Sequence, residues 1–521
     1  MALAPKWKVL TSVVFGVFMV ILDSTVVNVA FPTIRTSFGT GLGATQWVIS
    51  VYVLALGVAT PLSGFLGDRF GMRRVYVAGI GAFAVGSLLC GLAPSLPLLV
   101  VARVVQGLGG GAALPLGTAF LFRAFPPEEQ GRALGVFGVA LLVAPALGPL
   151  LGGLLVGIGH WRWIFFLNVP VGALGVALGS RWLTEYPLPP RPRLNWASAV
   201  FSTLGFGAVL YGTSVAATAG WAAARTLLWL GGGAAALAAF AVAELRSQRD
   251  PLLDLRLLGD PVFLNANLVG WVATLALFGA EFLLPVYLQT LRGLSPQGTG
   301  LVLLPLAVAA GVVTPIAGRL YDRVGPRPLV AVGYAVLVVN TWELARLGAT
   351  TPISTIVFLL VLRGIALGLT VQTTLTLALA VVPVDQLSRA SALVRATRST
   401  VQAIGVAVLT AVLASTLSPE AQRAEADGAG VCAATAITAH ATTSSPPDAI
   451  AHALVPRTAD PCVEALAGFG RAYTVTFWAA LVALGLSVLL PGWPAAWLGR
   501  AGRARTGPTN GPVRPDSSRA P

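Results

Sequence analysis

The sequence predicts an all-α polytopic membrane protein of fourteen helices, arranged as two related six-helix bundles with two helices between them. Three observations lead there. The 521 residues are 56% hydrophobic and only 10% charged, whereas soluble domains carry about 25% charged residues. Fourteen apolar runs follow one another, each close to the ~20 residues a helix needs to cross ~30 Å of hydrocarbon. A short glycine-rich charged loop also occurs twice, and a repeat that long in so apolar a chain implies duplicated bundles.

The first copy of that loop is Gly64-Phe65-Leu66-Gly67-Asp68-Arg69-Phe70-Gly71-Met72-Arg73-Arg74-Val75. Charges this dense cannot rest in hydrocarbon, and the apolar residues resume at once on both sides, so the segment reads as a tight connection between two spans. Its one acid, Asp68, sits among arginines, which suggests specific contacts beyond a topology signal. The second copy runs from Gly318 and Arg319 through Tyr321, Asp322 and Arg323 to Gly325, and ends in Pro326-Arg327-Pro328. Asp322 lies 254 residues after Asp68.

In chain order the runs fall at residues 9–31, 44–66, 75–94, 97–119, 133–157 and 163–183, which make one bundle. Two more occur at 195–216 and 225–245. The second bundle takes 262–288, 297–318, 328–347, 352–381, 388–416 and 469–491. The implied organisation is an N-terminal bundle over 1–183, the extra helices and linkers over 184–260, a second bundle over 261–491 and a disordered tail over 492–521. The first run is too long for a cleaved leader and carries Asp23, so it reads as a retained helix.

A formal net charge of +14 would suit a nucleic-acid partner if it were massed. Instead the arginines, with Lys6 and Lys8, are spread over short loops, and most fall on alternate connections, among them Arg389, Arg395 and Arg398. Topology explains that pattern, placing both termini in the cytoplasm. The only long connection, 417–468, is then outside, with Cys432 and Cys462 available either as a disulfide or as two free thiols. No Cys, His or acidic spacing suits a metal, and the loops are too short for a catalytic domain. No cofactor is expected.

The same residues resemble the major facilitator superfamily, and within it the fourteen-helix drug:proton antiporters of the EmrB/QacA type. Leu22-Asp23-Ser24-Thr25-Val26-Val27-Asn28-Val29-Ala30-Phe31-Pro32 is similar to that group's first-helix signature, as is Gln46-Trp47-Val48 with Tyr52 in helix 2. The Gly64 to Val75 loop matches the superfamily's loop between helices 2 and 3. His160-Trp161-Arg162 through Leu167-Asn168-Val169-Pro170 resembles the start of its sixth helix. Gly138, Pro145, Gly148, Pro149, Gly152 and Gly153 are similar to the fifth-helix pattern of antiporters, where small residues permit close packing and proline a bend.

Ionisable residues inside spans are functional candidates by default. Asp23 lies about 21 Å from the cytoplasmic end of its helix and Arg103 about 9 Å from the opposite face, so the two can pair at similar depth. The resemblance implies proton transfer at Arg103, and Arg363 is its repeat mate at an offset of 260 residues. The same offsets make Glu281 the mate of Asp23. Glu343 reads as a surface partner of Arg346. Together these imply a proton-coupled exporter of small amphipathic or cationic compounds, acting as a monomer in the cytoplasmic membrane. A facilitator or importer with the same fold is the alternative.

Overall fold

The computed structural model describes residues 4–158, 160–186, 195–247, 251–414 and 461–492. Within them the side chains of Pro149 and Glu281 are outside the description, as are Cys432, most of the 417–468 connection and the tail beyond 492.

The described chain is helical throughout. It runs α1 (Pro5–Phe38), α2 (Leu42–Phe70), α3 (Met72–Leu92), α4 (Leu96–Gly110), α5 (Ala113–Ala124), α6 (Gln130–Gly157), α7 (Trp163–Phe166) and α8 (Asn168–Trp182). It continues through α9 (Trp196–Ala219), α10 (Ala224–Arg246), α11 (Pro261–Val286), α12 (Pro296–Val324), α13 (Pro326–Leu344), α14 (Ile353–Ala380), α15 (Leu387–Ala414) and α16 (Pro461–Ser487).

Among the described residues eleven helices are long and apolar enough to cross a membrane, or twelve when the bent α6 is counted as one span. That is fewer than the fourteen runs of the sequence. The two runs outside that count are α11, whose described apolar stretch is Pro261–Leu277 within Pro261–Val286, and α13, which has 19 residues and carries Arg327 and Glu343 near its ends.

Several boundaries differ from the sequence reading. The run 97–119 is two helices, parting after Gly110, because the Gly109-Gly110-Gly111 triplet is selected for close approach. A Cβ at Gly109 would meet the Gly79 carbonyl and the Phe83 amide nitrogen, both at 2.6 Å. The run 163–183 is likewise divided, at Leu167. The last helix begins at Pro461, inside the expected connection 417–468. Arg395 and Arg398, counted by sequence with the cytoplasmic charges although inside the run 388–416, lie two and three turns inside α15.

Both copies of the charged loop turn on a glycine that no other residue replaces without strain. Gly71 has φ 101° and Gly325 φ 88°, values that an L side chain rarely adopts. Each therefore ends one helix and starts the next with no linker, α2 into α3 and α12 into α13.

The most extensive packing is between α6 and α12 and between α9 and α10. Near Gly131 the α6–α12 crossing is backbone on backbone. A Cβ at Gly135 would lie 2.9 Å from the Thr314 carbonyl, and one at Gly318 would strike the Gly131 carbonyl. A Cβ at Gly64 in α2 would lie 2.8 Å from the Ser388 carbonyl of α15. Beyond Val143, α6 leaves α12 for α1. It bends by 43° between Pro145 and Leu150, Gly148 packs onto Thr25, and a Cβ at Gly152 would lie 3.0 Å from the Val29 Cβ. Gly138 of the same stretch sits against Gln372 and Thr314, Pro145 is exposed and Gly153 half-buried.

The α9–α10 pair stands at the periphery. Trp47 of α2 stacks on Tyr211 of α9 at 5.9 Å, and the Trp221 indole after α9 donates to the Ala407 carbonyl of α15 at 3.3 Å. Leu227, Leu228 and Trp229 of α10 face outward, as lipid contact requires.

Candidate functional site

Asp23 is 2% exposed and Arg103 1%. The Arg103 Nη1 donates to Asp23 Oδ2 at 2.5 Å and to Gln106 Oε1 at 2.7 Å, and its Nε donates to the Val48 carbonyl at 2.9 Å. The other carboxylate oxygen, Oδ1, accepts from Gln106 Nε2 at 2.9 Å and from Asn168 Nδ2 at 2.8 Å. Gln106 also donates to the Ser87 hydroxyl at 2.6 Å. The Tyr52 ring lies 4.0 Å from the Arg103 guanidinium, and the Tyr52 hydroxyl donates to the Val20 carbonyl of α1. Residues from α1, α2, α3, α4 and α8 thus share one buried network. A charge pair this deep is held only when its remaining polar atoms are satisfied, and these are.

Sequence reasoning placed Asp23 and Arg103 but missed Gln106, Asn168 and Ser87. Gln106 comes one helical turn after Arg103, and Asn168 belongs to the sixth-helix signature. Both were therefore visible as residues, though not as ligands of one carboxylate.

The repeat mate Arg363 is also 1% exposed. Its Nη1 donates to Asn340 Oδ1 at 3.3 Å, and its Nη2 donates to the Ala276 carbonyl at 2.9 Å and to the Leu277 carbonyl. The backbone of α11 thus approaches Arg363 as that of α2 approaches Arg103. Whether Glu281 completes the likeness falls outside the described side chains. Arg346 lies 4.3 Å over the Trp342 ring, and Glu343–Arg346 is not among the ion pairs of the described residues. The aromatic face of Trp342, one turn away, is the partner of Arg346 among the described residues.

At the other site, the two loop acids clasp distant helices. Asp68 Oδ2 accepts from Arg389 Nε at 2.6 Å and its Oδ1 from the Ser388 hydroxyl, both at the start of α15. Asp322 accepts from the backbone amides of Gly131 and Arg132, each at 3.1 Å, at the start of α6. Free amides and the helix dipole favour an anion there. Among the described residues the ion pair of Asp68 is with Arg389 and not with the arginines next to it in sequence. Arg69 lies over Phe70, while Arg73 donates to the Ser180 carbonyl. The Arg73 and Arg74 backbone amides donate to the Glu185 carboxylate at 3.2 and 3.4 Å, which also fills the space a Cβ at Gly71 would need. Arg323 comes directly after Asp322 on the last turn of α12. The signal for Ser388 and Arg389 was a second repeat: Gly131-Arg132-Ala133 and Ser388-Arg389-Ala390 stand 257 residues apart.

The comparisons with known proteins agree with this architecture. Residues 13–406 match the family model described as Major Facilitator Superfamily. The chain is 35% identical over 397 residues to the uncharacterized MFS-type transporter YhcA of Bacillus subtilis strain 168, covering 76% of this chain and 74% of that one. It is 35% identical over 418 residues to the multidrug resistance protein Stp of Mycobacterium tuberculosis strain CDC 1551 / Oshkosh, covering 79% and 77%. In fold it is similar to the human organic anion transporter MFSD10, with a TM-score of 0.62 at 16% identity over 93% of this chain and 100% of that one. With its many apolar helices and buried intramembrane charges, the chain belongs to the Major Facilitator Superfamily, and it is a membrane transporter and not an enzyme.

Proposed function

We propose that the chain is a proton-coupled exporter of small amphipathic compounds, cations among them, that works by alternating access in the cytoplasmic membrane. On this reading α11 and α13 also cross the membrane, giving fourteen spans, as in EmrB/QacA-type antiporters, with bundles over 1–183 and 261–491. Both termini lie in the cytoplasm, and the monomer is the working unit.

The carrying observation is the Asp23 carboxylate, buried at mid-helix with Arg103, Gln106 and Asn168 on its two oxygens. A carboxylate enclosed in this way changes its proton affinity whenever one donor moves. Rearrangement of α4 or α8 thereby turns helix movement into proton uptake or release. Similarity to a multidrug resistance protein at 35% identity favours export of drug-like molecules, and the glycine-lined bend of α6 supplies a place for the helices to move.

Substrate-dependent proton release from the purified protein, screened over lipophilic cations such as ethidium and tetraphenylphosphonium, tests the reading. Release with wild type and none with Asp23→Asn supports it. Uptake of a metabolite with no proton exchange would replace it by a facilitator.

A further inference from the structure

Arg395 and Arg398 lie about 12 and 17 Å along α15 from its first residue, at 1.5 Å rise per residue, so both are at membrane depth. Each keeps part of its surface accessible although protein surrounds it. Their charges repel. Neither takes part in the ion pairs of the described residues.

Hydrogen bonding leaves the pair incomplete. Arg398 Nη2 donates to the Thr374 hydroxyl at 3.0 Å, and its buried Nε has no acceptor among the described residues. Ser391 stands one turn before Arg395 on the same face of α15, 3% exposed, and its hydroxyl also lacks a partner among them. Opposite them, Gly270 of α11 leaves the space the guanidinium occupies: a Cβ there would lie 2.7 Å from Arg398 Nη2. The site is thus shaped around the arginine while its Nε is left without an acceptor among the described residues.

Two like charges at this depth with no counter-charge among the described residues are costly to hold, and guanidinium forks match the oxygens of a carboxylate or sulfonate. We propose that Arg395, Arg398 and Ser391 form a subsite for the anionic group of an amphipathic organic substrate, so that organic anions and zwitterions are transported. Binding at this subsite stands apart from the exporter reading, and only the transport of the bound anion rests on it.

Fluorescein and rhodamine 123 share a tricyclic body and differ in charge, which makes them suitable probes for the purified full chain. Wild type should bind fluorescein, measured by fluorescence polarisation, and Arg395→Gln and Arg398→Gln should each weaken it about tenfold, the loss of one charge-assisted bond. Rhodamine 123 affinity should stay unchanged, and Arg398→Lys should fall between. If the glutamine variants do not fold, Arg398→Lys and Ser391→Ala carry the test with the same ordering. No binding of fluorescein by wild type, unchanged affinity in the variants, or equal losses for both dyes would overturn the proposal. So would chloride stabilising wild type against heat and not the variants while fluorescein fails to compete, since the arginines would then hold an inorganic counter-ion. Fluorescein bound at the arginines but not moved by a proton gradient in proteoliposomes would sink the exporter reading and leave the subsite standing.

Discussion

Asp322 lies over the first turn of α6 just as Asp68 lies over the first turn of α15, and each joins helices more than 180 residues apart in sequence. The chemistry differs between them. Asp68 meets a guanidinium and a hydroxyl, Asp322 two backbone amides.

That difference sets the ranking of two variants. Asp68→Asn leaves the Arg389 guanidinium, 8% exposed, without its counter-charge, a loss of about 3 kcal/mol for a buried pair. Asp322→Asn keeps one acceptor for one amide and loses about 1 kcal/mol. Transport should fall further in Asp68→Asn, and adding Arg389→Gln should restore part of it. Equal defects in the two single variants would remove the pairing from the explanation.

The glycines at the same crossings should act through space. Gly64→Ala brings a Cβ within 2.8 Å of the Ser388 carbonyl, and backbone cannot step aside as a side chain can. Alanine is the better helix former by about 1 kcal/mol, so the variant should fold, with α2 and α15 pushed apart at this end. Ser391→Cys in a cysteine-free background should then alkylate faster with Gly64→Ala than without it. Identical alkylation rates would mean that the crossing tolerates a methyl group.

Asp23→Asn fills the same volume and can donate or accept a hydrogen bond, but it releases no proton. Uphill efflux should be lost while counterflow, which needs only helix movement, persists. Gln106→Leu should reduce both, since it strips a donor from Asp23 and an acceptor from Arg103 together. Transport assays under a proton gradient and without one separate the two outcomes.

Gly148→Ala should stiffen the bend of α6, because the new methyl collides with Thr25. Thr25→Gly on the same background should recover part of the efflux rate. If the double variant is as slow as the single one, the collision is not the cause.

How far the sequence reached depends on whether a feature is local. Helix positions came from apolar length, and Asp23 with Arg103 came from depth along two helices, since charges at one level in hydrocarbon have few alternatives to each other. Glu185, Ser388 and Arg389 are contacts between segments far apart in the chain. Their residue types are ordinary at helix ends, so only the fold shows what they touch. Arg395 and Arg398 escaped notice for a different reason. They lie close after Arg389, and a count of basic residues by loop does not distinguish an arginine at a helix start from one three turns in.

The α9–α10 hairpin is fastened on both sides of a seam, to α2 through Trp47 on Tyr211 and to α15 through the Trp221 indole. If α2 and α15 slide past one another, one of these two fastenings must give way. The hairpin cannot follow both helices, so any such slide would carry α10, clad in Leu227, Leu228 and Trp229, through lipid relative to one of them, and the thickness and order of the surrounding bilayer would then weigh on the rate of turnover.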